Sequence, residues 1–324
     1  MRKNSKKAIN VKVARIGQYH NGNFDDESYV FEGFNSNKYF VSDRYIELDD
    51  HFRRPDGLPL EGYGLEIETE CWGIKSKKVL ADVMQKIIFV LFPADLFKMQ
   101  CDGSLGHDYG DYDERCIGVE CITQVMKKSF IRNNLPSFKA MFDVYFKEFN
   151  ISAARSGRCG MHVNISNAVF GDTVEKQKEA IRKLHYFVNK HYDFCRFMFK
   201  REGDTGYCER MHYENAKTME IAGGDHYVCL NYSHFDTGRI ELRLVGGQKD
   251  YYTFRNTMEC VFFLTERVRT AKWEDLDDVV KFFKGCNNYV FKRLRDCHLS
   301  YETLQKIEQN VKTIDLEIEE ALPM

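Results

Sequence analysis

The sequence predicts an α+β fold, in which mainly antiparallel strands form a sheet and helices cover one of its sides. Short segments that alternate apolar and polar residues are separated by longer segments with helical periodicity, and their order is β-α-β-α-β-α-β-β-α. The 324 residues are enough to bury a substantial core. We expect residues 1–60, which are polar and end in a stretch of chain breakers, to form an N-terminal extension that packs on a core domain of residues 61–324.

The clear pattern begins with a strand at 64–72, which is followed by an amphipathic helix at about 76–92 and a strand at 116–123. A second helix is expected after Pro136, because apolar residues recur there at helical spacing. The later predicted elements are a strand at 159–166, a helix from the N-cap candidate Asp172 to about 200, a polar loop at 201–225, strands at 226–231 and 238–244, and helices at about 251–269, 274–285 and 300–319.

Three of the predicted strands have one apolar face and one charged face: GLEIETE at 64–70, CGMHVNIS at 159–166 and GRIELRLVGG at 238–247. Residues i and i+2 of a strand point to the same side, so the charged groups of each segment share a face. If the three strands belong to one sheet, these faces form a carboxylate-rich concavity with arginines at its edge. Such a surface suits a metal ion and a phosphorylated nucleotide. Its polar residues are Glu66, Glu68, Glu70, His162, Asn164, Arg239, Glu241 and Arg243.

The donor types on this face favour magnesium or manganese. Both ions prefer oxygen ligands and tolerate one imidazole. Two carboxylates at i and i+2 of a strand lie about 6–7 Å apart, and burying them requires a cation. Taken singly, each strand is also compatible with a solvated sheet face on which carboxylates and arginines only pair with one another. The candidate metal ligands are Glu66, Glu68, Glu120, His162 and Glu241.

Composition and missing motifs exclude several functional classes. A formal net charge of −2 provides no field that would attract nucleic acid or an anionic membrane. The longest apolar run, residues 87–92, is far shorter than the roughly 20 residues of a membrane span. The 11 cysteines include no C-x-x-C pair, which favours buried reduced thiols in a cytoplasmic protein. The P-loop motif and the G-x-G-x-x-G motif are both missing.

Five segments, in order, resemble the amidoligase family of the glutamine synthetase / glutamate–cysteine ligase superfamily. The family's G-x-E-x-E strand is matched at 64–68, its D-G-S-L loop at 102–105 and its G-x-E strand at 118–120. Its C-G-x-H-V-H strand is matched from Cys159, with Asn164 where a second histidine is usual. The fifth segment, an L-N strand followed by a T-x-E-x-R strand, is matched by Leu230-Asn231 and then by residues 239–243.

This resemblance, which spans about 64–247, implies a glutamine synthetase-like catalytic domain with a curved, mainly antiparallel sheet and helices on its outer face. It also implies a ligase that uses ATP and Mg²⁺ (or Mn²⁺) to form a peptide or isopeptide bond through an acyl phosphate. The partners would be ATP, a carboxylate and an amine, drawn from amino acids, peptides or protein tails, with no nucleic acid and no membrane.

Residue roles follow from the matched positions. Glu66, His162 and Glu241 would hold the metal nearer the γ-phosphate, and Glu68 and Glu120 would hold a second metal nearer the substrate. Arg243 and Arg239 would be the catalytic arginines that stabilise the transferring phosphoryl group. The substrate-binding candidates are Asp102, Ser104, Asn164 and Asn231.

Two other functions are compatible with the same motifs. A non-catalytic descendant would use the sheet for binding or structure, and it would be expected to lose the charged faces that this sequence retains. A guanidino kinase-like phosphotransferase would leave the phosphate on nitrogen and form no amide. A metal-dependent hydrolase is disfavoured, because the sequence shows too few histidines at ligand spacing.

Overall fold

The computed structural model describes residues 28–29, 38–41, 44–49, 53–72, 77–93, 95–100, 105, 116–152, 159–201, 206–223 and 227–316. Within them, eleven strands form one largely antiparallel sheet, which is combined with helices. The predicted mixture of helices with a mainly antiparallel sheet is therefore confirmed. The substrate-binding candidates Asp102 and Ser104 lie outside the described residues.

The strands are short except for two near the middle of the sheet. In chain order they are β1 (Ser28–Tyr29), β2 (Lys38–Phe40), β3 (Tyr45–Glu47), β4 (Tyr63–Trp72), β5 (Phe97–Gln100), β6 (Cys116–Thr123), β7 (Val125–Met126), β8 (Ile151–Ser152), β9 (Met161–Ser166), β10 (Leu230–Asn231) and β11 (Arg239–Leu242). The pairing of β2 with β7 is parallel, and the other described pairings are antiparallel. The described strands form an open sheet, to which the first sixty residues contribute β1, β2 and β3.

The helices lie between the strands and after the last of them. They are α1 (Lys77–Leu91), α2 (Lys128–Asn133), α3 (Leu135–Glu148), α4 (Val174–Lys190), α5 (Tyr192–Met198), α6 (Tyr251–Thr270), α7 (Val279–Phe283), α8 (Asn288–Leu294) and α9 (Tyr301–Glu308). Pro136 lies in the first turn of α3, where its missing N–H removes no helical hydrogen bond.

Three predicted helices are shorter than expected. The helix predicted for 274–285 is divided into a 3-10 turn, Trp273–Asp277, and the five-residue α7, because Asp278 between them caps α7 with its side chain. The helix predicted for 172–200 starts one residue later, where the Thr173 side chain caps it, and it is interrupted at His191, whose ring bonds the carbonyl of Leu276 at 2.9 Å. The helix predicted for 300–319 ends at Glu308. Beyond it, Lys312 pairs through its backbone with the 286–288 segment, so tertiary hydrogen bonds replace the helical ones.

Strand β4 lies at the centre of the part of the sheet that includes the charged faces. It pairs with β6 on one side and with β9 on the other, and β9 continues to β11 and then to β10. In this register Glu68 lies opposite Glu120, and Glu66 lies opposite His162. Directly opposed residues of neighbouring strands point to the same face, so the charged faces of the separate segments become one surface.

The opposite face of these strands packs against the helices. Leu65, Met161 and Val163 are fully buried, each a contribution of about 1.5–3 kcal/mol. On the same face, the Tyr63 ring packs edge-on against Phe262 of α6, with the ring centroids 4.8 Å apart. The apolar face therefore stabilises the fold, and the charged face has little part in that core.

The described residues include no helix that is both long enough and apolar enough to cross a membrane. The nine cysteines with described side chains are all buried, and no disulfide joins any two of them. Burial raises the pKa of several of these thiols, including Cys229 and Cys297, to about 12. They are core residues held in the thiol form.

Candidate active site

His162 lies at the centre of the charged face. Its Nδ1 atom is 3.4 Å from Glu66 Oε2 and 3.3 Å from Glu241 Oε1, and its Nε2 atom is 3.5 Å from Glu68 Oε1. The His162 side chain is only 6% exposed, so these carboxylates surround it in a largely dehydrated setting. Four of the five predicted metal ligands are thus in one cluster, although they come from three strands.

Glu120 completes the cluster from the other side of β4. One ligand atom each from Glu66, Glu120 and His162 lie within 4.8 Å of one another. Opposite ligands around a magnesium ion lie about 4.2 Å apart, so small side-chain movements would bring these three atoms onto one ion. All five predicted metal ligands are therefore close together. The triad that lies closest to metal geometry pairs Glu66 and His162 with Glu120 rather than with Glu241.

The cluster changes the protonation of its members. Burial disfavours the ionised form of Glu66, but hydrogen bonds from His162 and Asn164 and the charges of His162 and Arg243 outweigh it and lower the pKa of the carboxyl. Burial also disfavours the imidazolium of His162. The hydrogen bond to Glu66 and the charges of Glu68 and Glu241 outweigh that effect and raise the pKa of His162. Without a metal, the cluster therefore favours the imidazolium form of His162 more than water does.

Arg243 and Asn231 orient Glu241. Arg243 donates from Nη1 to Glu241 Oε1 at 2.6 Å, and the same nitrogen is 3.4 Å from His162 Nδ1. Asn231 donates to the other carboxylate oxygen at 3.1 Å. The Nε of Arg243 is buried and has no hydrogen-bond partner among the described residues. Glu241 is therefore held by two donors, and Arg243 retains donor capacity beside the cluster.

Asn164 links the cluster to its rim. Its amide nitrogen donates to Glu66 Oε1 at 2.7 Å, and its amide oxygen accepts from Arg239 Nε at 3.0 Å. Arg239 is exposed. One side chain that offers both a donor and an acceptor thus aligns a carboxylate and a guanidinium. Asn164, which stands where the resembled motif usually has a second histidine, here contacts a candidate metal ligand.

Gly160 holds Glu68. Its backbone N–H donates to Glu68 Oε2. A Cβ on this glycine would lie 3.3 Å from Glu68 Oε2 and 3.3 Å from His162 Nε2, so the cluster occupies the space that a side chain would need. The glycine of the C-G-x-H segment therefore has a steric role at the site.

Two basic residues at the site were missed by the sequence reasoning. Lys98 of β5 acts on the same carboxylates: burial lowers its pKa, while the charges of Glu120 and Glu66 oppose that shift. The alternation of Phe97, Lys98, Met99 and Gln100 could have revealed it as a strand with a polar face. Arg201 follows α5 and lies over Gly160, and the polar stretch around it gave no periodic signal.

Glu70 lies on the same face of β4, outside the cluster. It is 1% exposed, and its Oε2 has no hydrogen-bond partner among the residues described. Its cross-strand neighbour Gly118 has room for no side chain, because Leu105 would lie 2.2 Å from a Cβ there. Leu105 of the D-G-S-L segment is thus packed against the glycine of the G-V-E segment, so two of the matched motifs meet.

A cavity of about 390 Å³ lies elsewhere, between the start of α4 and the end of α6. Phe170, Lys176 and Thr270 are among the residues that line it, and it includes none of the charged cluster. This cavity therefore lies away from the candidate site, which is the charged face of the sheet.

No protein-family model matches this chain, and no curated protein sequence matches it.

Proposed function

We propose that this protein is an ATP-dependent carboxylate–amine ligase of the amidoligase type, with a glutamine synthetase-like fold. The observation that supports it most strongly is the cluster of Glu66, Glu68, Glu120 and Glu241 around His162, beside the guanidinium of Arg243. Amide formation through an acyl phosphate needs a place where the charge of a transferring phosphoryl group is neutralised, and this face supplies the groups for it.

The donor set fits Mg²⁺ or Mn²⁺. Four mostly buried carboxylates repel one another unless cations offset them. We assign Glu66, Glu120 and His162 to hold one ion, with Glu68 and Glu241 adjacent to it for a second. When bound, the ions would supply Lewis acidity toward phosphate oxygens. For this role His162 must lose the proton that the metal-free cluster favours, so proton release accompanies binding.

The reaction that we assign to this face has two steps. A carboxylate oxygen of the substrate attacks the γ-phosphorus of ATP, the bond to the bridging oxygen breaks, and ADP leaves with that electron pair. The amine nitrogen then attacks the acyl carbon, inorganic phosphate leaves with the C–O electron pair, and the nitrogen loses a proton. Arg243, whose Nε has no hydrogen-bond partner among the described residues, would stabilise the phosphoryl group in both steps. Arg239 at the exposed rim suits the carboxylate substrate.

Substrate class and location follow from the same proposal. The substrate class that the resemblance implies, the end of an amino acid, peptide or protein tail, is the one that we propose. The buried thiols suit a reducing, cytoplasmic setting.

The test uses ATP, Mg²⁺ and hydroxylamine in place of the amine, with a panel of amino acids and peptides. We expect ADP release coupled to hydroxamate formation. Glu66→Gln should lower that rate about a hundredfold or more, because it removes a ligand charge at the centre of the cluster. Glu70→Gln is the matched control, since Glu70 shares the strand and the face but lies outside the cluster, and its rate should change little.

The alternatives give different results in the same assay. ADP release with phosphate transferred to a guanidino nitrogen, and no hydroxamate, would favour the phosphotransferase. A wild-type protein that binds no ATP in the presence of Mg²⁺ would refute the ligase and leave the non-catalytic descendant.

A further inference from the structure

Arg201 is a second guanidinium beside His162, on the side away from Arg243. Its Nη1 atom lies 2.6 Å from the point that a Cβ on Gly160 would occupy, and Glu68 Oε2 and His162 Nε2 each lie 3.3 Å from that same point. Arg243 approaches the other ring nitrogen of His162. The two arginines therefore flank the cluster that contains the candidate metal ligands.

The backbone that places Arg201 is closely fitted to this position. Gly246 pairs with Gly160 in an isolated bridge, and its N–H donates to the Phe199 carbonyl at 2.9 Å. A Cβ on Gly246 would lie 2.1 Å from the Lys200 carbonyl oxygen. Two facing glycines thus leave room for the 199–201 segment: the main chain of Lys200 fills the space over Gly246, and the Arg201 side chain fills the space over Gly160.

The Arg201 side chain is buried without a full set of partners. The residue is 3% exposed, its Nε has no hydrogen-bond partner among the described residues, and its Nη1 reaches the Cys159 carbonyl only at 3.4 Å. It forms no ion pair with any carboxylate of the described chain, although Glu68 is close. Burying a guanidinium whose donors lack hydrogen-bond partners among the described residues is unfavourable, so this position is suited to an anionic ligand.

We propose that Arg201 is an anion-binding residue of the active site and that its ligand is an oxygen of the terminal phosphate of the nucleotide. A guanidinium presents paired donors that match phosphate oxygens, which a single ammonium does not. Arg201 and Arg243 would then both bind the phosphoryl group, from opposite sides of His162. This inference rests on the proposed function, and it adds a residue that none of the matched motifs contains.

The experiment compares Arg201→Met with Arg293→Met. Arg293 is an equally buried arginine whose Nε also has no partner among the described residues, but its guanidinium bonds Thr253 and Thr257 of α6 and pairs with Asp296. Binding of a non-hydrolysable ATP analogue with Mg²⁺ is measured by calorimetry, beside binding of ADP. We expect Arg201→Met to weaken the analogue about tenfold or more and ADP less, since a charged hydrogen bond to the terminal phosphate is lost. Arg293→Met should leave both affinities unchanged.

Thermal unfolding of the ligand-free variants provides a second readout. We expect Arg201→Met to change the melting temperature little, because among the described residues the Arg201 guanidinium makes only a 3.4 Å hydrogen bond. Arg293→Met should lower it, because the Arg293 guanidinium bonds Thr253 and Thr257. Equal losses of analogue and ADP affinity would overturn the inference. An unchanged analogue affinity would also overturn it, and the substrate carboxylate would then be the anion that Arg201 binds.

If the wild type binds no nucleotide, the proposed function fails. Arg201 is then tested with inorganic phosphate, whose binding must be present and must depend on Arg201.

Discussion

His162 is the residue whose charge state decides what the cluster can do. As an imidazolium it forms ion pairs with the carboxylates around it, and as a neutral ring it can bind a metal ion. The same side chain cannot serve both purposes at once. The stability of the metal-free protein and its affinity for a divalent cation should therefore respond to pH in opposite directions.

The raised pKa of His162 gives the sign of the first effect. Its stabilising contribution is complete below the unfolded pKa of about 6.5 and is lost as pH rises through the higher folded pKa. We expect the unfolding free energy of the metal-free protein to fall above pH 6.5, by at most about 1.4 kcal/mol per pH unit for this one proton. Urea unfolding at a series of pH values measures it, and His162→Gln should flatten the curve.

The pH window separates His162 from two other histidines. Burial lowers the pKa of His185 and of His191, so their contributions to stability change below pH 6.5 and with the opposite sign. With Mg²⁺ present, the decline above pH 6.5 should weaken or reverse, because deprotonated His162 becomes available as a ligand. A wild-type curve that matches His162→Gln across this window would contradict the assignment.

At the residue scale, the sequence predicted what strand periodicity and motif order can show. Alternation, a local property of strands, predicts that Glu66 and Glu68 share one face of their strand and that His162 and Glu241 lie on the charged faces of theirs; the strand pairings join these faces. Asn164 could be singled out from the sequence, but its double contact could not, because Glu66 and Arg239 are brought to it by different strand pairings. Arg201 gave no signal, since it lies outside any periodic element.

At the element scale, Gly160, just before β9, pairs with Gly246, which follows β11. These two glycines determine how closely the segment after α5 approaches the sheet. A Cβ on Gly246 would meet main-chain atoms of Lys200 and Arg201, whereas one on Gly160 would first meet the end of the Arg201 side chain. Main-chain atoms cannot move aside without moving the segment. The two glycines should therefore differ in what their replacement costs.

We expect Gly246→Ala to lower stability by several kcal/mol or to prevent folding, and Gly160→Ala to cost about 1–3 kcal/mol, the usual range for overpacking. Gly160→Ala should also weaken binding of the ATP analogue, because it displaces Arg201. Chemical denaturation and calorimetry measure the two effects. A Gly160→Ala protein with wild-type affinity, or a Gly246→Ala protein with wild-type stability, would contradict this account of the segment.

The predicted elements agree best where amphipathic patterns are long. The strand at 116–123 is found as predicted, and α1 and α6 differ from their expected bounds by about a residue at each end. The ends of α4 and α9 differ more, because their boundaries depend on the Leu276 carbonyl and on the pairing of Lys312. Contacts between segments far apart in sequence decided these boundaries, and local pattern does not include them.

At the scale of the whole molecule, β4 is tied to the rest of the sheet along both edges, whereas β1, β3 and β10 lie at its margins. Exchange of amide hydrogens in β4 therefore requires the sheet to come apart, while the margins can open locally. We expect the slowest hydrogen exchange in peptides from β4, β6 and β9, and fast exchange in β3. Hydrogen-exchange mass spectrometry measures it, and equal protection of β3 and β4 would contradict this topology.

The neighbours of β4 could not be read from the sequence. The sequence predicts strands at 64–72, 116–123 and 159–166, but the same patterns are compatible with many orders of these strands across the sheet. In the structure β4 lies between the other two, which brings Glu120 and His162 to Glu66 from opposite sides. The metal triad is therefore a product of strand order.

The alternation of β4 also protects the fold against a wrong pairing. A slip of one residue against β6 or β9 would turn Glu66, Glu68 and Glu70 toward the helices and turn Leu65 and Ile67 away from them. Three carboxylates would then enter an apolar layer with no cation to meet them, at a cost far above the few kcal/mol by which proteins are stable. The carboxylates of β4, two of which we assign to metal binding, thus also fix the alignment of the central strands.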